Sequence, residues 1–330
     1  MKLFYLNRRQ VLRTTAMLGA ASLFDMKRVL AAAEVKQSAK TPPLSAQEIT
    51  AIEAALGKKG NYNEEQATLN ISLPRNDLKV KIKGEEVPTS FGFGGWVAFK
   101  KALDGKSTVL MSDTVLLQEE VNPLISAAHA SGLEVSAIHN HFFYEEPRIF
   151  YMHVHGVGEP ADLARKYAAT IRDSKLYPAN QPKAAGSAEQ PATARFDIPS
   201  LDNIVKHKGS VNGPTYKYTV GRDDLTIKAM GADLTAAIGL NSWASFAGTK
   251  NKAHIAGDIA MLEHEVNPVI KVLRQNGLEV VALHNHMLGD DPRMIFLHYY
   301  GNGQATDLAK GFRAALDVLG EVKQNSQMRH

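Results

Sequence analysis

The feature that most constrains this chain is that it contains one domain twice. Glu120-Val121-Asn122-Pro123-Leu124-Ile125 recurs as Glu265-Val266-Asn267-Pro268-Val269-Ile270, and Gly132-Leu133-Glu134-Val135 as Gly277-Leu278-Glu279-Val280. His139-Asn140-His141 returns as His284-Asn285-His286, Pro147-Arg148 as Pro292-Arg293, and His153 as His298, all at an offset of 145 residues. Upstream, Arg75, Asp77 and Trp96 match Arg222, Asp224 and Trp243 at an offset of 147, so one small deletion lies between. Self-similarity of this length reports a duplicated folding unit and is read before any local pattern. It predicts one repeat at 45–175 and a second at 198–322, with a Pro- and Ala-rich linker at 176–197 and a tail at 323–330.

The first residues read as an address. Arg8-Arg9 precede a modest apolar run, 15–24, which is shorter than the roughly 20 residues a membrane span needs. Lys27-Arg28 and then Ala31-Ala32-Ala33, a small-residue cleavage site, follow. The pattern resembles a twin-arginine signal peptide over residues 1–33, with a flexible segment at 34–44, and predicts a periplasmic or secreted mature protein. The segment carries six basic residues against Asp25, a net +5, so the rest of the chain holds −1 of the total +4. The basic pI of about 9.0 therefore belongs to the address, and a nucleic-acid partner loses its support. The chain has no cysteine, which excludes disulfides, thiolate metal sites and a cysteine nucleophile.

Within the second repeat, periodicity predicts strands at 216–220, 225–229, 242–246, 254–261, 278–286 and 293–300, with a turn joining the first two. Val266, Val269, Ile270 and Leu273 fall at helical spacing over 266–275, with Pro268 in the first turn and Gly277 past the end. A last helix is predicted over 305–319, and residues 198–208 match 45–56 as the opening helix. The order implies an α+β fold: two tandem copies of one domain, each an antiparallel sheet with helices packed on one face.

The histidines carry the chemistry. His284 and His286 are two apart on a strand and share a face. Folding the hairpin midway between Gly289 and Asp291 or just beyond pairs His284 with His298, and the same count pairs His139 with His153. Three imidazoles per repeat, His139, His141 and His153, then His284, His286 and His298, form a first shell for a divalent metal: zinc, copper or iron. A fourth ligand could be Glu120 or Glu265 before the helix, or Asp113 or Asp258 on the neighbouring strand. Arg148 and Arg293 are candidate anion- or ligand-binding residues that equally suit turn salt bridges. Trp96 and Trp243 read as core.

At Glu-Val-Asn-Pro, Ile/Leu-His-Asn-His and Pro-Arg-x-x-(Phe/Tyr)-x-His, the chain resembles the LppY/LpqO family of exported bacterial proteins. The resemblance implies export and a tandem domain of unknown function, and brings no activity with it. Two readings follow. One is a metal-dependent enzyme with a site in each repeat or one shared between them. The other is a non-catalytic cell-envelope module for a small ligand or partner protein. Neither the substrate nor the oligomeric state is legible, and no transmembrane span is expected in the mature chain.

Overall fold

The computed structural model describes residues 41–182 and 190–320, so the expected signal peptide, residues 34–40 of the flexible segment, part of the linker and the tail lie outside the described residues. The first repeat opens with α1 (Ala46–Leu56). Its cap is reciprocal: the Ser45 hydroxyl accepts from the Glu48 amide at 3.2 Å, and the Glu48 carboxylate accepts from the Ser45 amide at 2.7 Å. Gly57, at φ 75°, takes the left-handed conformation that ends the helix.

There follow β1 (Asn61–Asn63), β2 (Thr68–Pro74), β3 (Val80–Ile82), β4 (Glu85–Val87), β5 (Gly94–Lys101), β6 (Thr108–Leu117), α2 (Gln118–Ala130), β7 (Glu134–His139), β8 (Glu145–Glu146), β9 (Ile149–Gly158) and α3 (Pro160–Ile171). A single turn, α4 (Ala192–Arg195), precedes the second repeat. That repeat runs α5 (Ile198–Val205), β10 (Ser210–Asn212), β11 (Thr215–Gly221), β12 (Lys228–Ala229), β13 (Ala232–Asp233), β14 (Asn241–Thr249), β15 (Lys252–Leu262), α6 (Val266–Gln275), β16 (Glu279–His284), β17 (Met294–Gly303) and α7 (Ala305–Asp317).

The large sheets have the same topology. The first runs β1-β2-β5-β6-β9-β7 and the second β10-β11-β14-β15-β17-β16, antiparallel throughout. Helices cover one face of each, which is the expected α+β architecture. The other face of each sheet is covered by the other repeat. Alternate residues of the central strands show it. Leu110 and Leu116 of β6 pack under the helices, whereas Val109, Met111 and Val115 enter clusters shared with the second repeat. On β15, Ile255, Ile259 and Met261 face the helices, and Ala256, Ala260 and Leu262 face the first repeat. Strands buried on both faces read as nearly continuous apolar runs.

Two local expectations are corrected. Of 225–229 only Lys228–Ala229 is a strand, and it pairs with β13 and with Asp291, not with β11. The backbone of that segment is spent on bracing the β16–β17 loop. In addition, His284 stands opposite Phe296, and His139 opposite Tyr151, each two residues short of the predicted partner. The cause is at the turn: Asp290 accepts from the Met294 amide at 2.6 Å, and Glu145 from the Ile149 amide at 3.4 Å, so each loop folds about its acidic residue. A shift of two preserves the face, so the histidines remain neighbours.

Each repeat is pinned by a buried arginine. Arg75 grips Asp77 through Nε and Nη2 at 2.9 and 2.8 Å and Glu120 through Nη1 at 2.6 Å. Arg222 holds Glu265 through both Nη atoms at 2.8 and 3.0 Å, and Asp224 beside it. Both arginines also donate to a strand carbonyl, Val115 or Ala260. The glutamates reach back to Leu117 and Leu262 amides, joining strand end to helix start. Glu265 is fully enclosed, whereas the Glu120 side chain is 19% exposed. Removing one partner of a buried pair leaves an uncompensated charge, costing about 3–5 kcal/mol. Glu265→Gln is therefore expected to lower the unfolding free energy by about that amount, and Glu120→Gln by clearly less. Urea unfolding of the two variants checks this, and equal losses would contradict the assignment.

Candidate metal centre

The two sheets bring their histidines to one place. β7 and β16 end on His139 and His284, and His141 and His286 follow on the same side. His153 on β9 and His298 on β17 lie one strand inward. Three ring pairs cross from one repeat to the other: His139 to His284 at 3.7 Å between centroids, His141 to His298 at 3.7 Å, and His153 to His286 at 3.9 Å. Exchanging the repeats maps this set onto itself, so the six form one shared cluster about a pseudo-twofold axis and not one site per repeat. Tyr151 stacks on His141, and Phe296 packs on His286 at 4.0 Å.

Hydrogen bonds fix the ring tautomers. The Nδ1 atoms of His153 and His298 lie 3.1 Å from the Ser112 and Gly257 carbonyls, and that of His284 lies 3.3 Å from the Asn285 carbonyl. A carbonyl only accepts, so each Nδ1 carries the hydrogen and each Nε2 presents a lone pair, that of His153 toward His139 Nε2 at 2.9 Å. A metal-ligating histidine is held in this way. His286 donates through Nε2 to Asp258 Oδ2 at 3.2 Å, leaving Nδ1 bare. The Nε2 atoms of His284 and His298, Nδ1 of His286 and both nitrogens of His141 are buried without a hydrogen-bond partner. Each such atom costs roughly 1–3 kcal/mol unless something meets it.

Two triads, His139/His284/His298 and His153/His284/His286, offer ligand atoms that all lie within 4.8 Å of one another. Nitrogen ligands at about 2.05 Å in a tetrahedral shell stand roughly 3.4 Å apart, so the rings need to close by no more than about 1.4 Å. The residues fit a transition ion.

Burial and neighbouring imidazoles hold the cluster neutral. His139, His141, His153, His286 and His298 are pulled well below the usual histidine range by desolvation, and His284 to about 4. Desolvation pushes Asp113 up to about 7, and desolvation together with Asp113 pushes Asp258 well above the carboxylate range. Both flank the cluster: Asp258 Oδ2 is 3.9 Å from His298 Nε2, and Asp113 Oδ1 is 4.0 Å from His153 Nδ1. Of the proposed fourth ligands, the aspartates are therefore in place. Glu120 and Glu265 are not: Arg75 and Arg222 hold them at the helix starts, with both oxygens of Glu265 and Oε2 of Glu120 hydrogen-bonded there. Arg148 is exposed, 3.6 Å from Glu145, and donates to the Phe143 carbonyl. Arg293 is exposed and lines a shallow surface depression with Glu263 and Asn267. That depression also reaches the cluster's His284, so of the two arginines Arg293 is the nearer to the site.

A cavity of about 540 Å³ lies between the sheets and opens on His141, His286, His298, Asp113 and Asp258. Trp96 and Trp243, expected as core, line it half-buried. So does Lys217, which stands within the predicted strand 216–220. His155, whose counterpart in the second repeat is Tyr300, is buried beside the cluster and donates through Nε2 to the His286 carbonyl at 2.7 Å. No local motif marks either residue.

The protonation balance sets a pH dependence. Seven imidazoles, the six above and His155 at about 4, have folded values below their unfolded one near 6.5. Below pH 6.5 the unfolded chain binds more protons at these sites, so stability falls on acidification, steepest from about 6.5 toward 4. Asp113 and Asp258, raised in the fold, oppose this over the same window but are only two. Chelator-treated protein is expected to melt at a markedly lower temperature at pH 5 than at pH 7.5, and a flat profile would contradict a neutral buried cluster.

No helix among the described residues is long and apolar enough to cross a membrane. Among curated proteins, none matches the sequence significantly. Solved structures similar to it include the trimeric bacterial microcompartment shell protein PduB, at 12% identity over 82% of this chain and 93% of that one with a TM-score of 0.22. EtuB from Clostridium kluyveri matches at 8% identity over 81% and 93%, with a TM-score of 0.20. At these scores the likeness carries no statement about function. The family described as Domain of Unknown Function (DUF1259) matches residues 50–173 and again 199–318, and the chain belongs to that family as a tandem pair.

Proposed function

We propose that this is an exported metal-binding protein, with a divalent transition ion (zinc, copper or iron) held by the histidine cluster between its repeats. One observation carries the reading: six imidazoles from both repeats converge in one buried site, and five of them, all but His153, keep a ring nitrogen buried there without a hydrogen-bond partner. A purely structural core has no use for such atoms, since an apolar side chain of similar size removes their cost. His284 belongs to both triads and is the ligand the site depends on most. Twin-arginine export suits a protein loaded with its ion before it leaves the cytoplasm, and Arg8-Arg9 with the Ala31-Ala32-Ala33 site support that route. The histidine and Glu-Val-Asn-Pro motifs support kinship with the LppY/LpqO proteins.

The cavity favours a metal-dependent enzyme over a closed storage site, because histidines and both aspartates form its wall. A divalent ion bound here supplies Lewis-acid or redox chemistry. Asp113, poised near neutrality, can hold or accept a proton beside a bound molecule. The carbonyls of Ser112 and Gly257 orient the rings.

Elemental analysis of the purified mature protein is expected to find transition metal in the wild type, almost none in His284→Ala, and wild-type content in Glu265→Gln. Wild-type protein with trace metal only, and no thermal stabilisation by added zinc, copper or iron, would sink the proposal.

A further inference from the structure

The cavity holds one charge that the duplication does not repeat. Position 217 is lysine, whereas its counterpart in the first repeat is Asn70, and both line the cavity. Lys217 stands on β11 opposite Ser245 of β14, and its ammonium sits 4.5 Å above the Trp243 ring. No carboxylate pairs with it within 4 Å among the described residues. Asp113 and Asp258 line the same cavity without reaching its ammonium. The result is a single cation on an aromatic face, opening onto a polar cavity whose far wall is imidazole.

We propose that the cavity binds a small organic carboxylate, with Lys217 as its charge-recognising residue and the two tryptophans as its apolar walls. An ammonium on a flexible stem meets an anion as a point charge. Desolvation in the cavity strengthens that pairing. The amides of Asn70 and Asn241 add neutral hydrogen-bonding partners. The asymmetry between Lys217 and Asn70 gives the twofold cavity one charged end, so a carboxylate enters in one orientation with its remainder toward the histidines. This deepens the metal-site reading, since a ligand so placed lies against that wall, but recognition by Lys217 does not require the ion.

The chain has only two tryptophans, and both line the cavity, so intrinsic fluorescence reports its occupancy. Benzoate and its neutral isostere benzamide are titrated into mature wild-type protein, Lys217→Asn and Lys217→Arg, each before and after chelation. Saturable benzoate binding is expected, with benzamide much weaker. Lys217→Asn, which installs the residue of the first repeat, should weaken benzoate by roughly 10-fold or more, the scale of a lost charge-assisted hydrogen bond. Lys217→Arg should retain most of the affinity. The Lys217 effect should survive chelation, so a protein without metal still tests it. Equal binding of benzoate and benzamide, or benzoate affinity unchanged in Lys217→Asn, overturns the proposal.

Discussion

The inner faces of the two sheets are buried only because the repeats close over one another, with the short segments around β3–β4 and β12–β13 packed into the same clusters. Helices take up one face of each sheet, and what remains on the first, including Val109, Met111, Val115 and Tyr151, is too apolar to leave in water. The second repeat answers with Ile238, Leu240, Phe296 and Tyr300. Burying a side chain of this size contributes roughly 1.5–3 kcal/mol. That gain, repeated along the interface, is what holds the histidines together: each unpartnered buried nitrogen opposes it by roughly 1–3 kcal/mol. The cluster exists because apolar residues on both sides of it overcompensate. Salt links at the rim, Lys83 to Glu279 at 2.6 Å and Lys252 to Glu85 at 2.8 Å, set register more than stability, because their side chains are partly solvated.

Duplication then has a chemical consequence. A pseudo-twofold axis passing between His139 and His284 doubles every ligand type automatically, so three histidines in one repeat become six around one point. Once the copies are fused in one chain, each can drift. His155 opposes Tyr300, Lys217 opposes Asn70, and Ser112 opposes Gly257. The symmetric residues are those that build the cluster and the Arg–Glu pins. Of the asymmetric ones, Lys217 and Asn70 line the cavity, where a ligand without twofold symmetry would be sensed.

Much of this was legible in the sequence, for identifiable reasons. The 145-residue offset exposed the repeat, and period-two spacing put His139 with His141 and His284 with His286 on one face whatever the register. Helix 266–275 was found to its ends because Pro268 and Gly277 punctuate it. The fourth-ligand reading was divided between two carboxylate pairs, because sequence adjacency to a helix start says nothing about Arg75 and Arg222, more than forty residues upstream. The alternative, Asp113 and Asp258, lies on the central strands, where the alternation that selects the inner face is masked by burial on both sides. The fusion of two sites into one was illegible for a simpler reason. Each repeat predicts a covered face and an uncovered one, and nothing local says that the second copy supplies the cover.

Because the cluster sits in the interface and not within either repeat, ion binding and repeat association are one equilibrium on the proposed reading. An ion that binds only when both sheets are in place adds its binding free energy to that of the interface. Protons act in the opposite sense, since charging any of the crowded imidazoles puts a cation among neutral rings that cannot solvate it. His284 marks the centre of this balance: it stacks on His139 of the other repeat, contributes to both triads, and keeps its Nε2 buried and unpartnered. The same ring is thus where the two copies touch and where an ion relieves the cost of the lone pair that folding left unmet.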